Sequence, residues 1–338
     1  MFNLDKIKPG VISMLRVNMG LKNGESVLVV NDVPRPEEWY LSFSEIKDMA
    51  ERSVLARGIY EICREAFKDN RVDYLVYPSV GQSGKEPPDF VTEKLLGYDV
   101  IILVTTHSLS HTNAREKATQ TGARIASMPG IEYAMFLEDG PMAVDYAAIR
   151  QETETISAML TKAKRARVTT DLGTDLVFSI EGREGGPDTG IYDVKGEWGN
   201  LPGGEAFVAP VEGTANGKLV VPKGWYPGLI EDMVLEFKDG YVVSLQGGGQ
   251  VGAEFSRLLA FGDDSLKHRR NCAELGIGTN PKAKKPDNVL EAEKIKGTIH
   301  IAIGDSSHLG GVTESDLHED FVIPNPRLYL DGEMVLGK

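Results

Sequence analysis

The sequence predicts an α/β protein in two parts: an N-terminal open, mostly parallel α/β sheet domain, then a β-rich α+β domain. Three observations predict it. Continuous apolar runs in the first half, such as "SVLVV" and "VIILV", alternate with helical stretches, as strands buried on both faces of a parallel sheet do. Beyond about residue 165 glycine becomes dense and the strand-like runs shorten, the habit of antiparallel sheets joined by tight turns. Finally, 338 residues exceed what one hydrophobic core usually organises. The expected domains are 1–165 and 166–338.

Taken in order, "SVLVVND" (26–32) reads as a buried strand and 43–68 as a helix. A strand at 72–78, a helix near "PDFVTEKLL" and a strand at 98–106 follow. Next come a short helix closed by Gly122, a strand over 123–130 and a connecting helix over 147–166. In the second half, "FKDGYVV" carries the Asp-Gly signal of a hairpin, and "QVGAEFSRLLAFG" reads as a helix.

Acidic residues outnumber basic ones 50 to 37, a net charge of −13, which counts against nucleic acid or an anionic membrane surface as partner. No run reaches the ~20 apolar residues of a spanning helix, and the N-terminal stretch mixes acidic and basic residues, so neither signal peptide nor anchor is expected. The two cysteines, Cys63 and Cys272, support no disulfide framework and no cysteine-based zinc site, which points to a cytoplasmic protein.

The ionisable residues gather late in the chain. "LHEDFVI" places His318 and Asp320 two positions apart, on one face if this is a strand. His300 lies inside the apolar "TIHIAIG", Glu274 in "CAELGIGTNP", and Glu205 follows the "PGG" turn of "GNLPGGEAFVAP". Three carboxylates and two imidazoles suit two divalent ions that share carboxylates, with Zn²⁺, Co²⁺ or Mn²⁺ matching the donor types. Singly, each also fits an ordinary role: His300 a hydrogen-bonded core residue, Glu274 an ion-pair partner of Arg269 or Arg270, Glu205 a solvated turn residue. His107 and His111 sit on the loop after a strand, where open α/β sheets present functional groups; Ser110 or Thr112 equally suits a helix N-cap there. Arg115 reads either as a substrate-carboxylate binder or as a surface ion-pair partner. The glycine-rich 247–252 and 276–278 lack the spacing of a nucleotide-binding fingerprint.

In their order and spacing, "GNLPGGEAFVAPVEGTANG", "AELGIGTNP", "HIAIG" and "LHEDFVI" resemble the aminopeptidase T family of metallopeptidases, leucyl-aminopeptidase-like exopeptidases with a two-metal site. The resemblance implies metal ligands at Glu205, Glu274, His300, His318 and Asp320, with Glu274 and Asp320 bridging the ions. It also implies a peptide substrate and a homodimer. Glu205 or Glu274 would relay a proton to the leaving amine. One position departs: the family's tyrosine seven residues after the first histidine is Ser307 here, next to His308. "YDVIILVTTHSLSHTNAREKATQTGARIASMPG" also resembles the related iron-dependent dioxygenases that open dihydroxypyridine rings. That likeness implies a base at His107 and one iron held at Glu274, His318 and Asp320, although Glu274 stands where those enzymes have a histidine. Ligand identity favours the aminopeptidase reading. The alternatives are the ring-cleaving dioxygenase, or a non-catalytic protein that binds metal or a small molecule.

Overall fold

The computed structural model describes residues 2–337, which form two compact units: 2–146 with 190–203, and 147–189 with 204–337. Composition changes near residue 165, but the helix before that point belongs to the second unit. Residues 190–203 return to the first unit because they supply it with a sheet strand.

In the first unit, helix α1 (Leu4–Ser13) precedes strand β1 (Ser26–Val33), helix α2 (Phe43–Ala66) and strand β2 (Arg71–Pro78). Helix α3 (Asp89–Leu95), strand β3 (Val100–Val104), helix α4 (Asn113–Gln120) and strand β4 (Arg124–Ser127) follow. Ser42 and Glu45 start α2 with reciprocal side-chain-to-backbone bonds, satisfying amides that the first turn leaves without partners. Thr112 caps α4 by accepting from the Arg115 amide.

The second unit starts with helix α5 (Tyr146–Lys162), whose first residue still counts with the first unit. Strands β5 (Arg165–Thr169), β6 (Asp175–Ser179) and β7 (Gly186–Asp188) follow. The chain then crosses back to lay β8 (Trp198–Asn200) in the first unit. The remaining strands are β9 (Glu205–Val208), β10 (Asn216–Val221), β11 (Met233–Lys238), β12 (Tyr241–Gly247), β13 (Cys272–Gly278), β14 (Ile299–Gly304), β15 (His318–Ile323), β16 (Arg327–Leu330) and β17 (Glu333–Leu336). Helices α6 (Gly249–Leu258) and α7 (Val289–Ala292) lie among them.

The first unit's sheet has the order β2-β1-β3-β4-β8, and every pairing is parallel. All five side chains of β3 are buried, which is why its sequence is an unbroken apolar run. Leu28, Val30, Ile101, Leu103 and Ile125 pack with Val91, Leu95, Ala114 and Ala118 of α3 and α4.

The second unit holds two sheets, a seven-stranded β12-β11-β10-β6-β5-β16-β17 and a five-stranded β15-β14-β13-β9-β7. All their pairings are antiparallel. One core joins them: Val168, Phe178, Leu219 and Leu235 from the larger sheet meet Val208, Leu275, Ile301 and Phe321 from the smaller. The β11–β12 hairpin turns at Asp239 and Gly240, both at positive φ (48° and 85°), which the Asp-Gly pair tolerates. Cys63 and Cys272 are buried and free. No helix among the described residues is long and apolar enough to cross a membrane.

Candidate metal centre

Strand alternation builds the site. On the five-stranded sheet of the second unit, Ala206, Val208, Leu275, Ile277, Ile299, Ile301, Ile303, Phe321 and Ile323 point into the core. Successive side chains of a strand take opposite faces, so Glu205 of β9, Glu274 of β13, His300 of β14, and His318 and Asp320 of β15 all take the other face. Many of their cross-strand neighbours there are small. Glu205 pairs with Gly278, His300 with Gly276, His318 with Gly304, and Ala302 stands between Glu274 and Asp320. His300 also pairs with Val322 on β15. A β-carbon at Gly276 would overlap the His300 ring, so that glycine is required by space. The register of β13 shifts between Cys272 and Glu274, a bulge that re-aims the chain at the site.

The donor atoms converge. His318 Nε2 lies 3.2 Å from Glu274 Oε2 and 3.6 Å from Asp320 Oδ2. His300 Nε2 lies 3.4 Å from Glu274 Oε1, 3.5 Å from Glu205 Oε2 and 4.0 Å from Asp320 Oδ1. One donor atom from each of Glu274, His318 and Asp320 falls within 4.8 Å of the others, close enough to hold a metal ion. The two imidazoles are set differently. His318 Nδ1 lies 2.7 Å from the Asp305 carbonyl; donating there orients the ring and turns Nε2 towards the carboxylates, the usual anchoring of a metal-ligating histidine. His300 Nδ1 has no hydrogen-bond partner, and neither have Glu205 Oε2 and Asp320 Oδ1. A buried carboxylate oxygen without a donor is costly, and a cation held with Glu274 and His318 satisfies that of Asp320. The donor set therefore fits a divalent ion.

The electrostatics agree. Burial alone would raise the Glu274 carboxyl, but bonds with His300 and His318 outweigh it and hold the group well below the usual range. Burial would lower the two histidines; the surrounding carboxylates reverse this, pushing His300 up to about 9 and holding His318 well above the ordinary imidazole value. Burial also opposes ionisation of Asp320, and His318 reverses that. Glu205 is raised, its burial outweighing the attraction of Lys294 and His300.

Several residues beside the five carried no recognisable signal. Lys294, 1% exposed, places Nζ 2.5 Å from Glu205 Oε1, 3.3 Å from Glu293 Oε2 and 3.4 Å from Asp188 Oδ2. In sequence it sits in "EAEKIKG", indistinguishable from a solvated charge run. Glu319, between the two β15 ligands, faces the other way and accepts from the Tyr226 hydroxyl at 2.6 Å. At the tyrosine-to-serine position, Ser307 Oγ donates to Asp305 Oδ1 at 2.9 Å. The neighbouring His308 ring sits 4.9 Å from that of His318, beside the ligand.

His107 belongs to the first unit, just past the carboxyl end of β3. Crossovers from β1 to β2 and from β2 to β3 run in opposite directions along the sheet, so the loops part between β1 and β3, the usual ligand crevice of such sheets. There Asp32 accepts the Thr106 amide at 2.8 Å. Glu38, 5% exposed, accepts from Ser79 Oγ at 2.9 Å and has Oε1 3.5 Å from His107 Nε2. Arg115 stacks its guanidinium 3.9 Å from the centre of the Trp198 ring and donates through Nε to the Ser110 carbonyl at 2.7 Å. His111 meets the same Trp198 ring edge-on at 5.7 Å.

Comparison with known proteins overturns the main functional expectation. The family model described as "NicX: 2,5-dihydroxypyridine 5,6-dioxygenase" matches residues 17–338. A 2,5-dihydroxypyridine 5,6-dioxygenase of Pseudomonas putida is 24% identical over 253 residues, 70% of this chain and 69% of that protein. The solved 2,5-dihydroxypyridine dioxygenase of Pseudomonas putida KT2440 has a similar fold, with TM-score 0.72 at 18% identity, covering 100% of this chain and 97% of that one. AmpT from Thermus thermophilus also shares the fold, with TM-score 0.63 at 15% identity over 98% and 99% of the two chains. At that identity the AmpT likeness concerns fold alone. The aminopeptidase reading, with its hydrolase and protease character and peptide substrate, is therefore corrected: the family model that matches nearly the whole chain and the curated relative are both dihydroxypyridine dioxygenases.

Proposed function

Because the chain belongs to the NicX family of 2,5-dihydroxypyridine 5,6-dioxygenases, we propose that it is a metal-dependent oxygenase that opens the ring of a hydroxylated N-heteroaromatic small molecule. The observation that carries the reading is the convergence of Glu274, His318 and Asp320 on one strand face, with donor atoms within 4.8 Å of one another. Two carboxylates balance the charge of a divalent ion, so the loaded triad adds no net charge to a buried region. Bound there, an ion such as iron(II) would supply the one-electron chemistry by which dioxygen reacts with an aromatic ring.

The chain's own residues hold and orient. Asp305 fixes the ring of His318, and the bulge in β13 aims Glu274. His107 is the proposed proton acceptor for a substrate hydroxyl, with Glu38 at Nε2 directing the imidazole and Asp32 pinning the loop backbone. An imidazole has a ring nitrogen that can take such a proton. Glu274 replaces the histidine that the dioxygenase resemblance implies, so this triad is more anionic than two histidines and a carboxylate, and harder ions gain relative to softer ones.

The test is oxygen uptake by the purified full chain, loaded in turn with Fe²⁺ and Mn²⁺, on a panel of mono- and dihydroxypyridines. Stoichiometric oxygen consumption with loss of the ring absorbance is the expected result. Ion binding without turnover of any hydroxylated ring would leave a binding protein and end the oxygenase reading.

A further inference from the structure

The five-residue, two-ion arrangement expected from the sequence needs Glu205 and His300 free to serve a second cation. Glu205 is already engaged. Its Oε1 lies 2.5 Å from Lys294 Nζ, and the same ammonium lies 3.3 Å from Glu293 and 3.4 Å from Asp188. We propose that Lys294 is a built-in cation that takes the place of a second metal ion and limits the centre to one.

Three features support this inference, which rests on the metal centre described above. Lys294 cannot easily leave. Its side chain is 1% exposed, and its backbone is pinned on both sides: its carbonyl accepts the Asn280 amide at 2.8 Å and its amide donates to the Glu291 carbonyl at 3.1 Å. Short helix α7 delivers the lysine to this point, so the ammonium is placed by the fold and not by a flexible surface chain.

Next, the charges divide into two sets. Glu274, His318 and Asp320 form one group of converging donors. Glu205, Glu293 and Asp188 surround Lys294. His300 stands between the sets, 3.4 Å from Glu274 and 3.5 Å from Glu205. An ion ligated by Glu205 would need to approach one of its oxygens to about 2.0–2.2 Å, beside an ammonium already bonded to that carboxylate. Like charges that close, away from water, repel strongly.

Finally, the two imidazoles differ as they should if one serves the ion and the other does not. His318 is anchored through Nδ1 to the Asp305 carbonyl, whereas His300 Nδ1 has no partner. The anchoring that normally accompanies a ligating histidine is present on the triad side and missing on the lysine side.

The experiment is metal counting on the full chain, by equilibrium dialysis against Mn²⁺ and elemental analysis. Wild type is expected to hold one ion per chain. Lys294→Met, which removes the ammonium while keeping most of the volume, is expected to hold two; adding Glu205→Gln to it should return the count to one. Two ions in wild type, or one in a folded Lys294→Met chain, overturns the inference while leaving the metal centre standing. No ion in wild type instead overturns the centre itself. Should Lys294→Met fail to fold, Glu205→Gln alone decides. Near-unchanged affinity for the single ion is expected, because Glu205 is paired to the lysine. A loss of about tenfold or more, the scale of disturbing a group that supports a metal, would make Glu205 a ligand and sink the proposal.

Discussion

The two units carry their chemistry in different places. In the first, both faces of a parallel sheet are packed, and the polar residues that matter (Asp32, Glu38, Ser79, His107) lie at or beyond the carboxyl ends of strands. In the second, one face of an antiparallel sheet makes the core, and the other carries Glu205, Glu274, His300, His318 and Asp320 within the strands themselves. The first arrangement uses loops over a rigid platform. The second uses the period of a strand, and needs glycine and alanine between the functional residues to make room for them.

That contrast breaks most sharply at β15. Asp320→Ala is expected to lower metal affinity by about 100-fold or more while the circular dichroism spectrum stays native. A fully metal-loaded Asp320→Ala chain would show that the strand face is not the centre. Next in size, Gly276→Ala should destabilise the protein by about 1–3 kcal/mol, the range for overpacking a filled site, because the added carbon meets the His300 ring. Denaturant unfolding measures it, and an unchanged midpoint would mean that the small residues on this face are incidental.

In the first unit the expected effects are kinetic. Glu38→Gln keeps an acceptor for Ser79 but removes the charge beside His107, and turnover should fall about tenfold, towards the lower end of what acid–base assistance provides. Metal content should not change. Rescue of the rate by Glu38→Asp would confirm that the charge matters, and equal rates in all three proteins would separate Glu38 from His107.

The smallest effect concerns pH. Burial raises the Asp32 carboxyl above its ordinary value, against the opposing pull of the Thr106 amide and Arg52. A carboxyl that is easier to protonate in the folded state stabilises the fold at low pH. That contribution is lost as pH climbs from the unfolded midpoint through the folded one. Asp32→Asn should flatten this part of the stability–pH curve; a slope identical to wild type would exclude Asp32 as its source.

Much of this was legible in the sequence because periodicity is local. Apolar runs marked β1 and β3, the Asp-Gly pair marked the β11–β12 hairpin, and the period-two spacing of His318 and Asp320 put both on one face. Register is not local. Pairing Glu205 with Gly278 and His300 with Gly276 joins segments far apart in the chain, and only their order hinted that they meet. Lys294 was invisible because a buried lysine among acidic neighbours has the same local composition as a solvated helix end. The preference for a peptidase had a related cause: ligand identity was weighed over short blocks, while the oxygenase match extends over most of the chain.

The strand β8 has a practical consequence. It comes from a segment whose flanking residues on both sides belong to the other unit, yet it pairs with β4 at the end of the parallel sheet. A fragment cut before residue 147 would lose that strand and leave the amides and carbonyls on the outer side of β4 unpaired, an invitation to self-association. Anyone wishing to study the halves separately should therefore expect aggregates from a simple truncation, and soluble material only after residues 190–203 are grafted back through a designed linker.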